Sequence, residues 1–357
     1  MVNLYYFVLL ILSVYSYTLV DPNITLLNNN YWTDFRNYMV YWGYYRRDIT
    51  SIIYLVLIAL LLLFYFYIIK HYKKYNSVRL AFVIAAILLI SYPFLSHDFF
   101  NYMFDAKILT FYHQNPYTHK ALDFPNDSWI RFMHWTHRTY PYGPLFLVIT
   151  LIPSFLSFGK FIMAFGLFKV LFSGVYILSV YYLNKLNKKW AVMFAVHPLV
   201  IVEGLLNLHN DLIGVGLAIV GFYYLIKNQN VRGRLLLAAS FGIKYITLPL
   251  FFISKKNIRI QYSALIGIIL ILGYLSFWSE VQPWYFITLL ALLPFFENWI
   301  TRLNIFFAGL LFSYYPFIRF GQWGIPESDN MKHIIIITFL ILNIIYLVNM
   351  IFLSKRK

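Results

Sequence analysis

The sequence predicts an all-α, polytopic helical membrane protein. Hydrophobic residues make up 61% of the 357 residues, charged residues make up 12%, and the mean hydropathy is +0.67. A water-soluble surface needs far more charge than this. The apolar residues also occur in runs close to the length of about 20 residues that a helix needs to cross a bilayer. We therefore expect a single integral membrane domain over residues 1–357 with about nine to eleven membrane elements.

The charge distribution indicates orientation and not nucleic-acid binding. The formal net charge is +16, and most basic residues lie in short clusters beside apolar runs, as the positive-inside rule requires. The chain contains no cysteine. Disulfides, covalent haem attachment and cysteine-ligated zinc are therefore excluded.

Three spans are predicted before residue 96. Residues 4–20 lack a basic leading region and a small-residue cleavage site, so we expect an uncleaved span and not a signal peptide. Residues 21–49 mix tryptophan and tyrosine with polar residues, which is typical of a membrane interface. Residues 52–69 form the second span and precede a basic segment that we place in the cytoplasm. Residues 80–95 then return outward.

Two later segments are predicted to enter the membrane without crossing it simply. Residues 145–158 are short and apolar, and we expect a re-entrant or outer-leaflet element. Residues 235–253 have basic residues at both ends, which indicates a hairpin broken between Gly242 and Pro249. The other expected elements are spans at 161–183, 190–202, 212–226, 260–277, 285–296, 305–317 and 333–352, with a turn at 203–211.

The polar stretch 96–144, the predicted outer catalytic loop, carries four Asp, five His, two Lys and two Arg. Asp98, Tyr102 and Asp105 in HDFFNYMFD fall at i, i+4 and i+7, on one face of a helix. Asp98 directly follows the third span and is the preferred catalytic base. The alternative is a structural one, in which Ser96 or Asp98 only caps the helix.

Basic residues recur at three- and four-residue spacing in WIRFMHWTHRTYPYGP. Arg131, His134, His137 and Arg138 are predicted to form a cationic helical face that holds a phosphate through charge-assisted hydrogen bonds. An interfacial helix that binds anionic lipid head groups is an equal alternative. His134 and His137 lack a third ligand, so no metal site is predicted.

A second polar cluster lies in HPLVIVEGLLNLHNDLIGVG. Glu203, His209, Asn210 and Asp211 lie at or inside a membrane edge, where ionisable groups mark a substrate path or a paired structural network. Asp211 alternatively ligates a cation or orients the acceptor. Lys244 lies within an apolar run and either contacts an anion, snorkels or pairs with a carboxylate.

An aromatic pair follows in EVQPWYF. Trp284 and Tyr285 stack on a sugar or belong to the interfacial aromatic belt.

Four segments together carry a family resemblance: HDFFNYMFDAKI, HPLVIVEGLLNLHNDLIGVGLAI, FGIKYITLPLFFI and VQPWYF. Over residues 80–300 the chain resembles the GT-C class of membrane glycosyltransferases, and more narrowly the polyprenol-phosphate-mannose-dependent mannosyltransferases. The resemblance implies a GT-C-like fold with Asp98 as base. The chain departs from the family at residues 140–144, where it has Tyr-Pro-Tyr-Gly-Pro and the family usually has Tyr-Pro-Pro. The residues that match the donor phosphate contacts by position are Arg131, His137, Arg138 and Lys244.

The resemblance and the residues together predict inverting transfer of a hexose, with mannose favoured, at the outer face of the plasma membrane. The donor is a polyprenyl-phosphate sugar, and the acceptor is a glycan or a glycolipid. Asp98 takes the proton of the acceptor hydroxyl while cations stabilise the departing phosphate. No cofactor is expected, and the involvement of a divalent cation is left open. The predicted substrate-binding residues are Tyr102, Asp105, Glu203, His209, Asn210, Asp211, Trp284 and Tyr285.

Two other classes of protein fit part of the pattern. Transporters and lipid flippases also carry charges at mid-membrane and broken helices. They generally show internal repeats, which this sequence lacks, and have little reason to hold paired carboxylates in an outer loop. A non-catalytic membrane subunit is disfavoured by the same loop.

Overall fold

The computed structural model describes residues 1–354, with side chains described through residue 352. All regular structure in this range is helical, of α, 3-10 or π type, which confirms the predicted all-α class. The helices are α1 Val2–Tyr15, α2 Asn30–Val40, α3 Arg47–Lys70, α4 Ser77–Leu88, α5 Asp98–Thr110, α6 Pro144–Leu156, α7 Phe161–Leu186, α8 Lys188–Val196, α9 Asp211–Ile226, α10 Asn230–Ile243, α11 Leu248–Phe251, α12 Ile258–Trp278, α13 Leu293–Thr301, α14 Asn304–Phe312, α15 Tyr315–Phe320 and α16 Pro326–Ser354.

Within residues 1–354, five helical segments have the length and hydropathy needed to cross a bilayer, and two bent pairs raise the number to seven. With the shorter apolar helices α4, α6 and α9, the membrane elements fall within the predicted nine to eleven. The bent pairs are α8 with the π-helix Val200–Leu206, at 68°, and the segments Pro283–Thr301 and Asn304–Phe320, at 99°. The unbroken spans are Val2–Leu19, Arg47–Lys70, Phe161–Leu186, Ile258–Trp278 and Pro326–Phe352.

The third span is shorter than predicted. The sequence indicated a helix over residues 80–95, but α4 ends at Leu88. Pro93 disfavours helical backbone in the residue before it, and the Leu95 N–H donates to Asn207 Oδ1 at 3.2 Å. The end of the predicted span is thus irregular backbone, of which residues 91–95 are buried and lead towards α5.

The centre of the protein is the chain from α8 to the start of α9. Every residue from 191 to 216 is buried. The predicted turn at 203–211 is narrower than expected, because the π-helix extends to Leu206 and α9 already begins at Asp211. Leu208, at φ +59°, marks the reversal between them. The second polar cluster therefore lies in the core.

The predicted hairpin break is confirmed. The helix α10 ends at Ile243, a 3-10 turn covers Tyr245–Thr247, and α11 follows. Lys244 has extended backbone at the break. Pro249 lies in the first turn of α11, where its missing N–H costs no hydrogen bond. The break exposes Lys244 to the space beside α5.

Candidate active site

A cavity of about 760 Å³ lies beside the N-terminus of α5. Its wall comes from the start of the 96–144 loop, the hairpin break at Lys244, the segment 280–285 and residues near the start of α16. This volume is typical of small-molecule sites. Asp98, Arg138, Lys244, Trp284 and Tyr285 all line it. Residues far apart in sequence thus meet in one concave site.

Asp98 is the carboxylate at the cavity surface. It is the first residue of α5, and its side chain is 18% exposed. Arg138 Nη2 lies 3.4 Å from Asp98 Oδ1. Burial raises the pKa of Asp98 above its ordinary value, although Arg138 and Lys244 oppose this shift. A carboxylate of raised pKa is a stronger base than an ordinary aspartate.

The capping alternative for Asp98 does not fit the geometry. The residue preceding the helix is His97, and neither its side chain nor that of Asp98 caps this N-terminus. Ser96 Oγ accepts the Asp98 backbone N–H at 3.3 Å, which orients the loop just before the helix. The Asp98 carboxylate is therefore left facing the cavity.

His209 lies behind Asp98 and away from the cavity. Its Nδ1 is 4.0 Å from Asp98 Oδ2, and its Nε2 is 3.4 Å from Glu203 Oε2. The imidazole stacks on the Trp284 ring at 3.9 Å with planes inclined by 15°. His209 and Glu203 are fully buried. These two predicted substrate-binding residues thus lie in a buried network that supports Asp98 and Trp284.

Lys244 is the second cation of the site. Its Nζ lies 2.8 Å from Asp211 Oδ2, donates to Asn210 Oδ1 at 3.0 Å and lies 5.4 Å from the centre of the Tyr285 ring. Asp211 and Asn210 are buried, whereas Lys244 reaches the cavity. The two buried side chains therefore hold the ammonium at the cavity wall.

Tyr102 and Asp105 share the inward face of α5 with Asp98, as the spacing predicted, but they lie beneath the cavity. Tyr102 is buried and makes edge contacts with the rings of Tyr142 and Phe146 at 5.1 and 4.9 Å. Asp105 is also buried, and burial raises its pKa to about 8. Neither residue lines the cavity.

The predicted cationic helix over residues 131–138 is wrong. Only a 3-10 turn at Ile130–Phe132 forms, and Met133 is extended. Backbone carbonyls that a helix would use bond to distant partners instead. The Asn101 side-chain amide, for example, donates to the Trp135 carbonyl at 3.2 Å. The side chains consequently separate. Arg138 reaches the cavity, whereas Arg131 and His137 are exposed outside it.

His134 lines the cavity in an unexpected way. Its ring stacks on His97 with centres 3.6 Å apart and planes inclined by 18°. Burial lowers the pKa of both imidazoles, that of His97 to about 3. The His97 ring is therefore neutral at physiological pH. Among the described residues, no group of three or more His, Asp or Glu side chains is arranged to hold a metal ion.

Close packing explains the glycine in the Tyr-Pro-Tyr-Gly-Pro segment, Gly143. A Cβ at this position would lie 2.2 Å from the Gly242 carbonyl oxygen, so only glycine allows this approach. The contact joins the end of the 96–144 loop to the hairpin break. It thereby places Arg138 and Lys244 on the same cavity.

The residues at the opposite end of the cavity were not predicted from the sequence. Arg47, Glu280, Gln282 and Lys332 line it, and Lys332 Nζ lies 3.0 Å from Glu280 Oε1. A signal was present, because Glu280 directly follows an apolar span, as Asp98 does. Its partner Lys332 is remote in sequence and had no pattern that pointed to it.

This arrangement suits proton transfer beside a bound anion. A carboxylate of raised pKa and two cations line one cavity of suitable size, which is a recognised signature of a functional site. The carboxylate can accept a proton from a hydroxyl. The guanidinium and the ammonium can stabilise negative charge on a phosphate.

Comparisons with known proteins match the chain to mannosyltransferases. Residues 23–254 match the family model described as alpha-(1->6)-mannopyranosyltransferase, N-terminal domain. Over 167 residues the chain is 27% identical to alpha-(1->6)-mannopyranosyltransferase A of Corynebacterium glutamicum, covering 44% of this chain and 34% of that protein. The chain thus spans about a third of the length of this curated relative. No solved structure matches the chain significantly.

Proposed function

Since this chain belongs to the alpha-(1->6)-mannopyranosyltransferase family, we propose that it is a membrane mannosyltransferase. It transfers mannose from a polyprenyl-phosphate donor to a glycan or glycolipid acceptor at the outer face of the plasma membrane. The observation that carries the proposal is the position of Asp98, which lines the cavity 3.4 Å from Arg138.

Asp98 acts as the general base of a single displacement. The acceptor hydroxyl oxygen forms a bond to the anomeric carbon, and the bond from that carbon to the donor phosphate oxygen breaks. The hydroxyl proton passes to Asp98. Because one displacement inverts the anomeric carbon, an alpha-linked product requires a beta-linked donor.

Arg138 and Lys244 receive the negative charge of the leaving group. A phosphate monoester is a stable anion, so its departure needs no general acid. Donors fixed at the position where charge develops stabilise the transition state without reorganisation. Lys244 is fixed in this way, because buried Asp211 and Asn210 hold its ammonium group.

The membrane location follows from the donor. A polyprenyl tail is insoluble in water, so its phosphate meets the enzyme at the bilayer surface. Asp98 lies at the N-terminus of α5, ten residues after α4 ends. This position is suited to a reaction between a lipid-anchored phosphate and an acceptor outside the hydrocarbon core.

The test is sugar transfer by the purified chain in lipid nanodiscs. Radiolabelled polyprenyl-phosphate mannose, glucose and arabinose are each offered with alpha-(1->6)-linked mannose oligosaccharides, chosen because the family description names an alpha-(1->6) mannosyl linkage. We expect transfer from the mannose donor alone. Folded protein that neither binds nor uses any of the three donors would contradict the proposal and favour a transporter.

A further inference from the structure

Three side chains of the segment that joins α12 to α13 form a row along the cavity wall. Glu280, Gln282 and Trp284 are partly exposed and line the cavity. Val281 and Pro283, which lie between them, are buried. Gln282 has extended backbone, with φ −117° and ψ 127°. Successive side chains of an extended chain point to opposite sides, which separates Gln282 from its buried neighbours, while Trp284 reaches the same cavity from the start of the 3-10 helix Pro283–Leu292.

Each member of the row has a group available to a ligand. Both Lys332 Nζ and His333 Nε2 contact Glu280 Oε1, each at 3.0 Å, while Oε2 has no partner among the described residues. The Gln282 amide likewise makes no side-chain hydrogen bond within the described part of the chain. His209 covers one face of the Trp284 ring.

This chemistry fits an uncharged saccharide. Carboxylate and amide groups exchange hydrogen bonds with sugar hydroxyls, and an aromatic face packs against the apolar C–H face of a sugar ring. The cavity thus has two chemically different parts. Arg138 and Lys244 beside Asp98 suit a phosphate, whereas at the other end the carboxylates of Glu280 and Asp329 balance the charges of Arg47 and Lys332.

The geometry points to the Glu280, Gln282 and Trp284 row as the subsite for the acceptor saccharide. This inference rests on the proposed function. The row begins beside the base, because the His209 ring stacks on Trp284 and its Nδ1 lies 4.0 Å from Asp98 Oδ2. A saccharide bound along the row presents its terminal hydroxyl to Asp98, while Glu280 and Gln282 bind the sugar units behind it.

Binding is measured without any transfer, by saturation-transfer NMR of the chain in nanodiscs with an alpha-(1->6)-linked mannotriose as the probe. We expect the unaltered chain to bind the probe. Glu280→Gln and Gln282→Ala should each weaken binding about tenfold, the effect of one or two lost hydrogen bonds. Gln282→Ala removes no hydrogen bond or ion pair within the described protein, so it separates ligand binding from folding.

The matched control is Glu297→Gln. Glu297 is also paired with a lysine, Lys189, at 2.6 Å, but it lies outside the cavity. Its substitution should leave mannotriose binding unchanged. Equal binding by all the variants, or no binding by the unaltered chain, would overturn the subsite.

Transfer kinetics separate this inference from the proposed function. The acceptor KM should rise in Gln282→Ala while the donor KM stays constant. If the chain transfers mannose but the variants keep the acceptor KM, the subsite is wrong and the function stands. If the chain binds mannotriose in the expected pattern but neither binds nor uses any of the three donors, the function is wrong and the saccharide subsite stands.

Discussion

Two ion pairs of the 96–144 loop have the same charges and opposite surroundings. The Asp98 and Arg138 pair is partly exposed and faces the cavity. The Lys107 and Asp127 pair is buried, with the Lys107 ammonium 3.9 Å from the centre of the Trp129 ring. A pair closed off by aromatic rings holds two parts of a loop together. A pair open to a cavity can exchange its partner for a ligand. The Lys107 and Asp127 pair therefore has a structural role, and the Asp98 and Arg138 pair has a chemical one.

Asp98→Asn gives the largest expected effect on the open pair. Asparagine keeps the shape of the side chain but cannot take the acceptor proton. The transfer rate at saturating substrates should fall about 100- to 10,000-fold, the contribution of a general base. Single-turnover measurements in nanodiscs give this rate. The exposed Asp34→Asn is the control, and a variant that kept the parent rate would refute the base assignment.

Asp127→Asn gives the largest expected effect on the closed pair. It removes the buried partner of Lys107 and weakens the contact that Tyr112 Oη makes with Asp127 Oδ2 at 2.7 Å. The free energy of unfolding should fall by about 3–5 kcal/mol, because a buried charge is left unpaired. Thermal unfolding of the variant and of the unaltered chain measures this change in the free energy of unfolding. The folded fraction should transfer mannose at the parent rate, and an unchanged unfolding midpoint would remove the structural role.

Arg138 and Arg131 provide a matched pair from the same irregular segment. Arg138→Gln should weaken binding of polyprenyl-phosphate mannose about ten- to a hundredfold, since it removes a charge-assisted contact. Arg131→Gln makes the same change outside the cavity and should leave donor affinity as it is. Donor titrations in nanodiscs compare them. An equal loss in both variants would indicate attraction to the membrane surface instead of a phosphate site.

Asp105 adds a third case to the comparison, a buried carboxyl group without an ion pair. No described cation lies within ion-pair distance of it. Burial raises the pKa of Asp105 to about 8 from an ordinary 3.8. The folded state therefore keeps a proton that the unfolded state has released, so stability declines as pH rises from about 4 to about 8 and then levels off. Asp105→Asn should flatten this decline in pH-dependent unfolding curves. A decline of the same size in the variant would assign it to another group.

The sequence predicted the parts of the site that local spacing controls. The helical spacing of Asp98, Tyr102 and Asp105 placed α5 and its inward face, and the pair Gly242 and Pro249 placed the hairpin break. The end of α4 and the separation of Arg131 from Arg138 depend on distant partners such as Asn207 and Asn101. No local pattern encodes those contacts. Glu280 had a local signal, since it directly follows an apolar span, but its partner Lys332 lies on α16 and no pattern pointed to it.

Stereochemistry tests the central claim most directly, since a base and a nucleophile at position 98 give opposite outcomes. The chain in nanodiscs is offered a beta-linked polyprenyl-phosphate mannose with a mannose oligosaccharide, and carbon–proton coupling at the new anomeric centre is read by NMR. Our account predicts an alpha-linked product, formed by one displacement with Asp98 as base. A beta-linked product would show retention, which a single back-side displacement cannot give, and would contradict the role of Asp98 as base.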